Sequence, residues 1–311
     1  MPALRGMVHA LILYLASPHT ITRFRGGCDE LLRLFMAGGI SGNLKPFWSD
    51  VSKRIGRGQQ IDQAKGEAIR DFLGNAEAGF GDYMPYILES FFYADPDTER
   101  LLPYFGDFLL DSGAFTFMQG NGGVPNWDEY TERYADFINR NKIKKYFEMD
   151  VDSVAGYATV KRLRAKLERL TGIQPIPVWH RSRGKDEYIG SCRDYPYVAI
   201  GGLVDGAKKG EYARQFWKFF PWFINTAHEN GAKIHALGFT SLEGIQQYHF
   251  DSVDSTAWTT GNRFGYLYWF DGRTMRKRDA PPGHRISDSR AAALNNFAEW
   301  VKFQKYADKH L

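Results

Sequence analysis

Carboxylates recur at one kind of place in this chain, the ends of short apolar runs. Asp111 closes "DFLLDS", Asp150 and Asp152 follow "KYFEM", and Asp254 stands near the end of "FDSVDS". His180 ends "PIPVWH" after Trp179, Gly201 and Gly202 end "YVAIGG" ahead of Leu203, and His235 lies in "KIHALG". Acids brought together from different elements suit chemistry at an acetal-like carbon, where one carboxylate attacks or stabilises positive charge and another moves a proton on the leaving group. Asp150 and Asp152, two apart, share a face of an extended strand. Asp251 and Asp254, three apart, face opposite ways, so at most one of them serves the same space as the strand's core side. The Gly-Gly pair can bring backbone donors close to a flat ligand, although such a pair after a strand more often marks a tight turn.

Other chemistries find no support. The eight histidines are scattered, HExxH is absent, and Cys28 and Cys192 are too far apart for a metal knuckle, so no metal site is expected. "GRGQQ" and "GGISG" lack the Lys-Ser/Thr ending of a phosphate loop, which argues against nucleoside triphosphate chemistry.

The elements that must position these residues alternate in type. Strands are expected at 10–16, 86–94, 107–112, 145–150, 175–180, 197–202, 233–238 and 250–255. Helices are expected after Asn126, whose capping-box partner is Glu129, over 153–171 before Gly172, and over roughly 209–228 and 287–308. Eight strands alternating with helices in one 311-residue domain predict an α/β fold, a (β/α)8 TIM barrel. In that fold, active groups gather at the C-terminal ends of the strands, where these acids lie. The Gly-rich stretch 17–85, with helical pieces near 28–37 and 60–73, reads as a helical insertion after the first strand.

The composition is that of a globular chain, 43% hydrophobic and 15% aromatic. Its net charge of +4 leans mildly toward polyanions. "KRLRAKLER" (161–169) reads as a solvated helix face. In "RTMRKRDAPPGHR" (273–285) Pro281, Pro282 and Gly283 preclude a helix, and a phosphate-tracking surface using Arg273, Arg276, Lys277 and Arg278 is an equal reading. Two cysteines and no disulfide framework fit a reducing cytoplasm. "HALILYLA" is too short for a membrane span and lacks the marks of a signal peptide, so no membrane role is expected.

Taken in order, "LLDSGAFTFM", "YVAIGGLVDG" and "HALGFTSLEGIQQYHFDSVDSTAWTTGNRFG" resemble the motifs of the guanine transglycosylases that insert 7-deazaguanine bases into tRNA, over roughly residues 86–272. The resemblance implies a (β/α)8 barrel with Asp254 as nucleophile and Asp111 as general acid/base. It further implies a base pocket of Asp150 or Asp152, Phe115 stacking on the base, Ser112, Gly113, Gly201, Gly202, Leu203, His235, and Trp179 or His180 in place of the family's amide side chain. Arg263 keeps one of two basic positions toward nucleic acid, whereas Thr260 stands at the other.

The chain also departs from those enzymes. No cysteine follows Cys192, so their structural zinc subdomain is not expected, and the glutamate after Gly-Gly-Leu is replaced near 205–207. A short relative without zinc resembles the DNA-acting, DpdA-like branch of bacteriophages and bacterial islands. The implied activity is a pentosyltransferase reaction exchanging guanine in DNA for a free 7-deazaguanine base such as 7-cyano-7-deazaguanine (preQ0), without cofactor and with possible protein partners for DNA opening. The alternatives are a tRNA transglycosylase, a sugar hydrolase using the same acids with water, and a non-catalytic nucleic-acid-binding subunit, whose mark would be a missing nucleophile.

Overall fold

The computed structural model describes residues 32–37, 44–73, 83–118, 125–202, 216–239, 241–279 and 289–311. All of them fall in the unit Leu31–Leu311. Strands β1 (Arg33–Ala37), β2 (Tyr86–Ser90), β3 (Asp107–Asp111), β4 (Val178–Trp179), β5 (Tyr197–Ile200), β6 (Lys233–Ala236) and β7 (Ser252–Ser255) form one curled parallel sheet in the order β3-β2-β1-β7-β6-β5-β4. Between β3 and β4 in sequence, residues 145–148 touch both edge strands. Leu110 bridges Tyr146 and Phe147 bridges Ile176, each in the parallel sense, through bonds such as Phe147 N–H to Leu110 O (2.9 Å) and Ile176 N–H to Tyr146 O (2.8 Å).

The expected helix over 28–37 is corrected for its described part: Arg33–Ala37 is the strand between β2 and β7. The expected strand 10–16 lies outside the described residues. Helices α1 (Lys45–Gly56) and α2 (Ile61–Leu73) follow β1, the second close to the expected 60–73. Next come α3 (Pro96–Leu101), α4 (Ala114–Met118) and α5 (Trp127–Arg140). Asn126 caps α5 by accepting the N–H groups of Asp128 (3.1 Å) and Glu129 (3.4 Å). The expected helix 153–171 is split into α6 (Asp152–Ala155) and α7 (Tyr157–Thr171) by Gly156, whose φ of +78° breaks the helical path. The later helices are α8 (Gly184–Asp194), α9 (Phe220–Glu229), α10 (Leu242–Gln247), α11 (Ala257–Phe264) and α12 (Ser289–His310). Residues 209–215 of the expected 209–228 helix are outside the described residues. An antiparallel hairpin, β8 (Tyr266–Phe270) and β9 (Met275–Asp279), stands apart from the main sheet.

Alternation along the strands divides the core. Phe35, Leu88, Leu109, Phe147, Val178 and Ala199 pack together on the inner face of the curl. Their sequence neighbours Leu34, Ile87, Trp179, Val198 and Ile200 belong to the larger layer beneath the helices, with Trp48, Trp258 and Trp300. Period two then puts Asp111, His180, Gly201, His235 and Asp254 on the inner side of their strands. None of the helices among the described residues is long and apolar enough to cross a membrane.

Candidate active site

Asp254 sits at the rim of β7, 6% exposed, with one carboxylate oxygen held by the Gly238 N–H (2.6 Å) and by His235 Nε2 (3.2 Å). His235 is wholly buried beside the rings of Phe147 and Phe35, and its Nδ1 lies 2.5 Å from Ser252 Oγ. Ser252 meets the Tyr197 hydroxyl in turn. A carboxylate has no proton to give, so with Asp254 ionised Nε2 carries the hydrogen and Nδ1 accepts from Ser252. Ser, His and Asp thus line up, but Ser252 is sealed in the interior and its hydroxyl is engaged on both sides, which makes it a support for Asp254 rather than a nucleophile.

Asp111 ends β3, and its Oδ2 accepts the Gly113 N–H at 2.9 Å. Burial pushes its pKa from 3.8 up to about 6; the Gly113 bond opposes the rise, and the charges of Asp150 and Asp254 add to it. Gly113 is required where it stands, because its φ is +78° and a Cβ there would lie 2.6 Å from Phe92 Cβ. Ser112 is buried, with its carbonyl accepting the Tyr130 hydroxyl (2.8 Å).

Asp150 is gripped from two sides. His180 Nε2 is 2.6 Å from Oδ2 and Arg183 Nη2 is 2.9 Å from Oδ1. The same guanidinium reaches Asp152 (3.0 Å) and Glu148 (2.6 Å) and stacks 4.5 Å over the Tyr157 ring. Glu148 is wholly buried, receives the Val178 N–H (2.9 Å), and is paired again to Arg164 (2.5 Å). Burial works against charge on His180, but the bond to Asp150 and that residue's charge outweigh it and raise the imidazole's pKa. One ligand atom each from Asp150, Asp152 and His180 lie within 4.8 Å of one another, a set that could hold a metal ion. Arg183 already sets its positive charge on both acids, which disfavours a second cation.

Among the sequence-predicted residues, the charges of Asp150 and Asp254 reach Asp111, and those of Asp150 and Asp152 reach His180. Gly201 lies against His180, where an added Cβ would be 2.7 Å from Cε1, and Gly202, with φ +70°, is beside the same ring. Trp179 points the other way, packing on Phe223 (4.7 Å) and Tyr188 (5.9 Å) with its indole N–H on Gly184 O (2.7 Å), so of the Trp179 and His180 alternatives only His180 faces the acids. Asp251 works elsewhere, accepting the Ile234 N–H (2.8 Å) and His228 (2.9 Å). The side chains of Phe115 and Arg263, and Leu203 altogether, lie outside the described residues.

No family model matches the sequence. Over 135 residues the chain is 24% identical to "Uncharacterized protein 306" of Sulfolobus islandicus rod-shaped virus 1, a stretch that is 41% of this chain and 42% of the viral protein. The chain therefore spans less than half the length of that relative.

Sequence reasoning missed Arg183, Glu148 and Arg164. Arg164 falls on the apolar stripe of α7 beside Leu163 and Leu167, where a charge needs a buried partner, and this was the available signal. It also missed Ser90, the register partner of Asp111, whose buried Oγ has no hydrogen-bond partner among the described residues.

Proposed function

We propose that this chain is a guanine transglycosylase acting on DNA, built on an eight-stranded (β/α)8 barrel in which residues 145–148 act as the eighth stave. The observation that carries the reading is that Asp111 and Asp254, on the inner side of strands β3 and β7, share one electrostatic neighbourhood with Asp150, which follows the 145–148 segment.

The chemistry follows from their environments. Asp254, anchored by Gly238 and His235, attacks C1′ of an extruded deoxyguanosine. The C1′–N9 bond breaks, and protonated Asp111 gives its proton to the leaving guanine. A free 7-deazaguanine base then loses its N9 proton to Asp111 and displaces Asp254 from C1′, so neither proton nor electron pair is left over. An Asp111 carboxyl poised near pH 6 can do both halves. Asp150, held by His180 and Arg183, presents carboxylate oxygens with lone pairs for the N1–H and amino group of guanine; adenine offers no such donor pair.

The test offers radiolabelled 7-deazaguanine bases, preQ0 among them, to the protein with DNA or with tRNA. Label should enter DNA with wild type and not with Asp254→Asn, and a protein–DNA adduct should be trappable. Incorporation into tRNA alone would move the target, and none into either would end the proposal.

A further inference from the structure

The hairpin that follows the Asp254 strand has two unlike faces. Register pairs Leu267 with Arg278 and Trp269 with Arg276, and pairs Tyr266, Tyr268 and Phe270 with Asp279, Lys277 and Met275. Directly opposed residues share a face. Tyr266, Tyr268, Phe270 and Met275 form the inner face, packed toward α12 through contacts such as Tyr268 on Trp300 and Phe270 on Tyr306. Lys277 belongs to that side, its ammonium 4.6 Å from the Tyr266 ring centroid.

The outer face holds Leu267, Trp269, Arg276 and Arg278. Trp269 is 51% exposed, unusual for the largest side chain, and both arginines beside it are exposed. Arg276 is also oriented, because its Nε bonds Asp271 Oδ2 at 2.7 Å and the remaining guanidinium nitrogens stay open to solvent on a side chain 60% exposed. Asp271 additionally accepts the Arg273 and Thr274 N–H groups, which fixes the turn that carries these side chains. Over residues 266–279 four cations face two carboxylates.

We infer that this outer face binds a single nucleic-acid strand, with an unpaired base stacked on Trp269 and the flanking phosphates on Arg276 and Arg278. An exposed indole with one guanidinium directly opposite it and a second diagonal to it fits alternating flat bases and anions, and the open face of the two-stranded ribbon leaves room for a strand to lie along it. A double helix hides its base faces and could use only the arginines. The choice of ligand rests on the nucleic-acid reading above, but the surface is separate from the acids, and it narrows the earlier basic segment: Arg276 and Arg278 contact the strand, whereas Lys277 serves the hairpin's packing.

Binding of fluorescent oligo-dT, of a duplex of equal length and of heparin separates the outcomes. Trp269→Ala should weaken oligo-dT binding about tenfold or more with the salt slope unchanged, leave duplex and heparin binding as they were, and be rescued by Trp269→Phe. Arg276→Ala with Arg278→Ala should weaken all three ligands and flatten the oligo-dT slope by about 1.4. Unaltered oligo-dT binding in both variants, or equal loss toward heparin in Trp269→Ala, would overturn the inference. Thermal melting of each variant excludes misfolding, and because binding needs no turnover, an Asp254→Asn protein that binds oligo-dT normally but exchanges no base tests the two proposals apart.

Discussion

Asp111 shows how burial sets a proton's place. Its carboxyl binds its proton more tightly in the folded chain, with a pKa of about 6, than in an unfolded chain near 3.8. Between those values the folded state holds more protons than the unfolded one, so this group's contribution to stability is whole below about pH 4 and is lost as pH rises through 6. Asp111→Asn keeps an acceptor for the Gly113 N–H and has nothing to ionise. Its stability relative to wild type should therefore rise between pH 4 and pH 7, read as urea midpoints; a constant difference would contradict the buried-acid description. Asp111 and Asp254 were legible because each ends a short apolar run, where a charge needs a reason. The partners of Asp150 were less so, since nothing in "HRSRG" says which of Arg181 and Arg183 turns inward, and only the fold presents Arg183 to three acids.

At the scale of elements, β4 and β5 hold the Asp150 cluster in place through a glycine. An alanine methyl at Gly201 would come 2.7 Å from His180 Cε1 and 3.0 Å from Val178 Cγ1, and the imidazole cannot retreat without leaving Asp150. Gly201→Ala should thus lower the His180 pKa toward 6.5, seen by NMR titration, and cost about 1–3 kcal/mol in thermal or chemical unfolding. The strands at 107, 197, 233 and 252 could be read because apolar runs there stop at Asp, Gly or Ser. "RLFMA" could not, because a five-residue stretch buried on both faces has no period to tell strand from helix, and its leucine-rich approach imitates an amphipathic turn. The hairpin carried a signal that the charge count obscured: "YLYWF", Asp271-Gly272, then a second run is the pattern of two strands and a tight connection.

For the whole molecule, the decisive join lies between the first strand and the last helix. Gln304 of α12, wholly buried, donates to the carbonyls of Leu34 and Tyr86 and accepts the Tyr86 N–H at 3.0 Å, filling the seam where β1 and β2 have not yet begun to pair. Gln304→Leu would leave these backbone groups without partners in a dry interior, so a loss of about 3 kcal/mol or more is expected in denaturant unfolding, far beyond an exposed Gln-to-Leu change such as Gln247→Leu. The composition and alternation announced an α/β chain, but not that a single amide would fill the β1–β2 seam, because a glutamine's address is invisible until the fold brings two distant segments to it. This placement has a consequence for how the protein is made. Strands β1 and β2 leave the ribosome more than two hundred residues before their shared partner, and β1 also waits for β7. The seam cannot be filled until α12 has been made, so this step comes late in folding, and a chaperone that shields nascent strands should raise the yield.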